Sequence, residues 1–303
     1  MTSRIPKSQK EFNSLMEDID SLLKERNVPI YNRPIHAPLE ISRKLKVSFP
    51  LVPIQRNAIP GDYTGNSLSS HIQDWFEKQY RDRLSVQMGV GTGVILIKGD
   101  PWKVIYPLIF GTVYFICDPN LEKYKNLASF TTNGTSPTIN IFNLILDFPP
   151  KLAESLTKNE VQKIKQTFLA GLDALSCLDQ IKKMPLAKEA KADLEAAVMH
   201  ILSEPPQFGL SKWASLQFSE KLLKAYLFAK NKKYPLNHKL AQLRELSIIN
   251  GLFSFPENLV NNIQCPAGVR YGEVPVTLSE SINAHYSSLG VCYFTAKAIS
   301  SLK

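Results

Sequence analysis

The spacing of the apolar residues changes at Pro149 and Pro150, and this change constrains the fold more than any other feature of the chain. Before the two prolines, short runs rich in β-branched and aromatic residues alternate with glycine-containing turns, a pattern typical of β-strands. After them, apolar residues recur every three or four positions, a pattern typical of amphipathic helices. We therefore predict an α+β fold, with an α+β domain over residues 1–150 and an all-α bundle over residues 151–303.

The N-terminal half begins with a predicted helix over residues 10–26, which opens at the capping-box spacing of Ser8 and Glu11. The prolines between residues 28 and 60 predict an irregular, non-helical connection, because proline removes a backbone donor and clashes with the preceding helical turn. A second helix is predicted from Leu68 to Leu84.

Three strand-like runs follow, over residues 94–98, 102–109 and 112–117, and they predict an antiparallel β-meander. Residues 138–146 are a candidate fourth strand. Gly89, Gly91 and Gly93 precede a strand rather than a helix, so they lack the helix N-terminus of a phosphate-binding loop. We predict that these glycines form a flexible turn.

The C-terminal half contains a series of helix signals with short connections, which predicts an up-and-down bundle. Two helices open at capping boxes, Thr157 with Glu160 and Thr277 with Glu280. The others are predicted over residues 186–202, 211–230, 238–249 and 257–263.

The net charge of +9 lies mainly in the C-terminal half, which holds 19 Lys and Arg against 13 Asp and Glu. The stretch from Lys212 to Lys239 carries seven lysines and the single acid Glu220, a local excess that attracts phosphates or an acidic partner. A solvated, lysine-rich helix face is the alternative interpretation. The candidate nucleic-acid-binding residues are Lys221, Lys224, Lys230, Lys233 and Arg270.

Several classes of protein are disfavoured by the sequence. The longest apolar run is too short for a membrane span, and no secretory signal is apparent, so we expect a cytoplasmic protein that does not enter a membrane. The four cysteines are scattered, which indicates buried thiols rather than a zinc site or a disulfide framework. No motif for a metal or a cofactor is present, and we predict neither.

Four segments within residues 185–302 carry a family resemblance: Ala190–Ala197 with its Asp193-Leu194 pair, Trp213–Tyr226 with Glu220, Lys221, Leu223, Lys224 and Ala225, Asn237–Leu240 with His238, and Val269–Gly272. In this order and spacing they resemble a HEPN domain. The resemblance implies a bundle of four or five helices that often forms a homodimer. It also implies binding of nucleotides or cleavage of RNA, in defence or stress systems.

The sequence departs from the catalytic pattern of that family, in which an arginine precedes a histidine by four to six residues. The nearest arrangement is Lys232 followed by His238, and these two residues are the candidate catalytic pair. Our leading hypothesis is therefore a protein that binds RNA or a nucleotide through its lysine-rich bundle. A metal-independent ribonuclease that uses Lys232 and His238 is the first alternative, and a regulatory module that binds a protein partner is the second. His238 also has a purely structural interpretation, as a residue at the start of the fourth helix.

Overall fold

The computed structural model describes residues 5–81, 89–109, 111–124 and 138–302. The chain forms two compact units, Met1–Gln87 and Met88–Lys303, and each has its own hydrophobic core. The predicted boundary at residue 150 therefore differs from the division in the structure. The reason is that strands before residue 150 share a core with helices after it: the Tyr106 ring stacks on Phe168 at a centroid distance of 5.3 Å.

In the described part of the first unit, three helices pack around one core and no strand is present. They are α1 (Gln9–Glu25), α2 (Arg33–Leu45) and α3 (Gly65–Tyr80). The first predicted helix is confirmed, since Ser8 caps α1 by accepting a hydrogen bond from the backbone N–H of Glu11. The second corresponds to α3 (Gly65–Tyr80), and its predicted end at Leu84 lies outside the described residues.

The prediction that prolines exclude a helix between residues 28 and 60 was wrong, because α2 lies within this range. Pro34 lies in the first turn of α2, where a backbone N–H would have no helical partner, so it costs no hydrogen bond. Pro38 lies inside the helix, on the face that Ala37, Ile41 and Leu45 bury in the core. Burial of this apolar face outweighs the hydrogen bond that Pro38 removes.

A buried ion pair holds α1, α2 and α3 together. The side chain of Asp20 is 3% exposed, and its carboxylate accepts hydrogen bonds from Arg33 at 3.1 Å and from Tyr80 at 2.5 Å. Lys24 adds a salt bridge of 2.7 Å. Burial by itself raises the pKa of Asp20, but the hydrogen bonds from Lys24, Tyr80 and Arg33 outweigh it and hold this pKa below its usual value.

The second unit contains the helices that the sequence predicted. Both capping boxes are formed, by Thr157 with Glu160 and by Thr277 with Glu280. The helices are α4 (Pro150–Glu154), α5 (Lys158–Gln180), α6 (Ala187–Leu202), α7 (Phe208–Ala229), α8 (Leu240–Ile249), α9 (Glu257–Ile263) and α10 (Leu278–Ser300). Helix α7 is buried around most of its circumference and packs against α6, α8 and α10, so it is the central helix.

A β-hairpin precedes these helices. Strands β1 (Gly89–Ile97) and β2 (Asp100–Pro107) pair antiparallel across Lys98 and Gly99, whose positive φ values of 50° and 94° suit a two-residue hairpin turn. The glycine cluster at 89–93 is therefore strand and not the predicted turn.

The predicted meander is also incomplete. Strand β3 (Tyr114–Ile116) does not extend the hairpin but pairs in parallel with β4 (Thr138–Asn140). The α+β fold class itself is confirmed.

Glycines allow the hairpin to pack closely on the helices. A Cβ atom at Gly93 would lie 2.7 Å from the Tyr106 ring, and one at Gly171 of α5 would lie 2.2 Å from the Tyr106 hydroxyl. Helix α10 binds β1 through two side chains. The backbone N–H of Val94 donates to His285 Nε2 at 3.3 Å, and that of Leu96 donates to the Tyr286 hydroxyl at 3.0 Å. The hairpin is thus part of the helical core.

Candidate nucleic-acid interface

The candidate site is centred on Trp213, near the start of α7. A short 3-10 turn, Ala267–Tyr271, lies against this end of the helix. The close approach requires Gly209, since a Cβ atom there would lie 2.4 Å from the carbonyl oxygen of Val269. The turn places the Arg270 guanidinium 5.1 Å from the centre of the Trp213 ring, within the range of a cation–π interaction.

His238 contacts Trp213 as well. Its imidazole lies 5.3 Å from the Trp213 ring in a T-shaped arrangement. The chain is fixed at this point because the side-chain amide of Gln264 donates to the carbonyl oxygen of His238 at 3.1 Å. One buried indole thus contacts an arginine and a histidine that are far apart in the sequence.

A buried carboxylate orients the imidazole. Glu220 Oε2 lies 2.6 Å from His238 Nδ1, and Glu220 Oε1 lies 2.5 Å from Lys224 Nζ. The side chains of Glu220 and Lys224 are 8% and 11% exposed, whereas that of His238 is 55% exposed. Removing the Glu220 carboxylate from water is costly, and its contacts with Lys224 and His238 offset this cost. With Nδ1 engaged, His238 has Nε2 available for a ligand.

A second ion pair lies on the same helix. Lys221 Nζ is 2.6 Å from Asp193 of α6. Burial raises the pKa of Asp193, and the hydrogen bond from Lys221 opposes this rise. The two candidate lysines of α7, Lys221 and Lys224, are therefore each paired with an acid, which reduces the charge they can offer to a phosphate.

The other candidate residues are more accessible. Lys232, Lys233 and Arg270 are exposed, and Lys230 is partly buried at the end of α7. Within residues 138–302, none of these four cations has an acidic partner within salt-bridge distance.

The structure brings only some of the predicted residues together. His238 and Arg270 each contact Trp213, but His238 is paired with Glu220, and no hydrogen bond joins it to Lys232 in the described part of the chain. Trp213 and Glu220 had no binding or catalytic role in the prediction from the sequence. One signal for Glu220 was available, since it is the single acid among seven lysines.

The described residues contain no group of three or more His, Cys, Asp and Glu side chains arranged to hold a metal ion. None of their helices has the length and apolar character needed to cross a bilayer.

No family model, no curated protein and no solved structure matches this chain. The resemblance to a HEPN domain therefore stays a prediction that depends on the sequence motifs quoted above.

Proposed function

We propose that the second unit binds RNA, or a nucleotide, through a phosphate held by Arg270 and His238 beside Trp213. The guanidinium is a hydrogen-bond donor that suits phosphate oxygens, and Nε2 of His238 donates as well when both ring nitrogens carry a proton. Lys230, Lys232 and Lys233 extend the positive field from the end of α7 and attract further phosphates. Lys221 and Lys224 contribute by holding Asp193 and Glu220 in place.

The observation that carries this proposal is the contact of Arg270 and His238 with one indole ring, at 5.1 and 5.3 Å. The indole is 6% exposed and thus forms a firm base, while both polar groups remain open to solvent. The Arg270 guanidinium and the His238 imidazole are thus positioned on a rigid apolar support before a phosphate binds, which lowers the entropic cost of binding.

Fluorescence anisotropy of the full chain with a labelled RNA oligonucleotide, over a series of salt concentrations, tests the proposal. We expect affinity to fall as salt rises, because lysine and arginine release counterions from the phosphates they contact. Replacing both Lys232 and Lys233 with Gln should reduce the slope of log K against log salt by about 1.4, since each single-strand phosphate contact contributes about 0.7.

The matched control is the double variant Lys163→Gln, Lys188→Gln. It removes two exposed lysines from α5 and α6 of the same unit, and it changes the net charge equally. The proposal fails if the affinity is independent of salt, or if the control lowers the slope as much as the Lys232 and Lys233 variant.

The pairing of Glu220 with His238 favours ribonuclease activity as a second candidate function. In such a reaction the imidazole accepts the proton of a ribose 2′-hydroxyl and that oxygen bonds to phosphorus to give a 2′,3′-cyclic phosphate. The P–O5′ bond breaks, and the 5′-oxygen takes up a proton from water. The carboxylate would orient the ring and stabilise its protonated form. Arg270, rather than Lys232, would hold the phosphate in this arrangement.

Incubation of labelled RNA with the protein in the presence of a chelator tests this second function. If it holds, His238→Ala abolishes cleavage, and Glu220→Gln reduces it by about 100-fold or more because the imidazole loses its charged partner. Circular dichroism must show that both variants stay folded. If the wild-type protein binds the RNA but leaves it intact, the binding proposal stands and the ribonuclease proposal fails.

The cellular location and the homodimer belong to the proposal as well. A cytoplasmic location agrees with the four cysteines, which are free thiols in the structure. The homodimer depends on the resemblance alone, and light scattering of the purified protein tests it. A stable complex with a protein partner, without RNA binding, would instead support a regulatory module.

A further inference from the structure

Tyr271 is a large aromatic residue that the structure leaves on the surface beside the candidate site. Its side chain is 69% exposed, although the residues around it are fixed. Val269, two positions earlier, is buried against Gly209, and Gly272 ends the 3-10 turn with a φ of 73°. Folding therefore gains little from this ring, yet the backbone holds it in a defined place.

The position of Tyr271 relative to Arg270 is specific. The Arg270 guanidinium lies 5.5 Å from the Tyr271 ring and 5.1 Å from the Trp213 ring, so it contacts two aromatic groups. Of these, Trp213 is buried and Tyr271 is open to solvent. A phosphate bound at Arg270 would place the neighbouring nucleoside within reach of the exposed ring.

We infer that Tyr271 is a stacking platform for an unpaired nucleobase, so that the ligand of this site is single-stranded RNA rather than a duplex. This inference deepens the proposed function and rests on it. A base in a duplex is covered on both faces by its neighbours, whereas an unpaired base has a face free for an aromatic side chain. Stacking on tyrosine depends little on the identity of the base, so the site favours single strands without a strict sequence.

Three ligands distinguish stacking from charge: a single-stranded RNA oligonucleotide, the duplex of the same sequence, and inorganic polyphosphate, which has no bases. Anisotropy and competition with the full chain give each affinity. The wild-type protein should bind the single strand more tightly than the duplex. Tyr271→Leu should weaken binding of the single strand by about tenfold and leave that of polyphosphate unchanged.

Two variants serve as controls. Tyr271→Phe keeps the ring and should keep the affinity for the single strand. Tyr114→Leu removes another exposed tyrosine of the same unit, 61% exposed on β3, and should have no effect. Arg270→Gln should weaken binding of both the single strand and polyphosphate, because it removes a phosphate contact that the two ligands share.

The outcomes separate this inference from the proposed function. Equal loss of RNA and polyphosphate binding in Tyr271→Leu, or equal affinity of the wild-type protein for single strand and duplex, would overturn the stacking role while phosphate binding stands. A wild-type protein that binds neither RNA nor polyphosphate would overturn both.

Discussion

His285 is a histidine at the centre of α10 with no exposed surface. Its Nε2 atom accepts the hydrogen bond from the backbone N–H of Val94, and its Nδ1 atom has no hydrogen-bond partner in the described part of the chain. Burial lowers the pKa of His285 to about 4. The folded protein therefore holds this imidazole in its neutral form at neutral pH.

This burial predicts a loss of stability in mild acid. The unfolded chain takes up a proton at His285 below about pH 6.5, but the folded chain does so only near pH 4, so stability is present above pH 6.5 and falls between these values. The pKa difference corresponds to about 3 kcal/mol. At pH 5 about 2 kcal/mol of this should be lost, because pH 5 lies about 1.5 units below the pKa of the unfolded chain, and urea unfolding at pH 7.5 and pH 5 measures the decrease.

His285→Gln should remove most of the pH dependence, although it lowers stability at every pH because of the altered packing. His200→Gln is the control, since His200 lies at the end of α6 and its imidazole bonds only to the side chain of Gln207 in the described structure. A wild-type protein equally stable at both pH values would contradict the prediction.

Among the elements, the β1–β2 hairpin and α5 approach each other through glycine. The Tyr106 ring fills the space above Gly93 and Gly171, and its hydroxyl is buried without a partner in the described part of the chain. Burial raises the pKa of this hydroxyl, so it stays protonated. The hairpin therefore packs this closely against α5 only because Gly93 and Gly171 have no Cβ atom.

Gly171→Ala should destabilise the second unit by about 1–3 kcal/mol, because the added methyl group overlaps the end of the Tyr106 ring. Tyr106→Leu removes the overlapping atoms, so the same glycine change should cost less in that background. A double-mutant cycle by urea unfolding measures this coupling. If the losses in stability caused by Gly171→Ala and Tyr106→Leu simply add, the two side chains do not compete for the same space.

At the scale of the whole molecule, the two units have separate cores, and the second core includes the hairpin. Val94, Val104 and Tyr106 are completely buried in the second unit. Without the hairpin, the parts of α5 and α6 that pack against it would be left open to water.

Two truncated chains test where the second unit begins. Residues 88–303 should unfold cooperatively, whereas residues 151–303, which match the boundary predicted from the sequence, should lose cooperative unfolding and bind a hydrophobic dye. Full-length protein is the reference for both. A cooperative transition of residues 151–303 at the same urea concentration as residues 88–303 would show that the hairpin is dispensable.

The sequence by itself determined the local features of the protein. Capping boxes and apolar spacing located α1, α5 and α10, because a helix start depends on residues three positions apart. The strands of the hairpin were located as well, since their alternation and their turn are local. The glycines at 89, 91 and 93 predicted a turn because their close packing against Tyr106 and Leu175 is not visible in the chain near them.

Only the tertiary structure decided which residues form the candidate site. Arg270, Trp213 and His238 come from three segments, and Glu220 joins His238 across 18 positions of the sequence. The same holds for α2, where burial of one face overrides the local effect of Pro38. Proline inside a helix costs about 3 kcal/mol, whereas burial of Ile41 and Leu45 together contributes about 3–6 kcal/mol, so long-range packing decides where the two disagree.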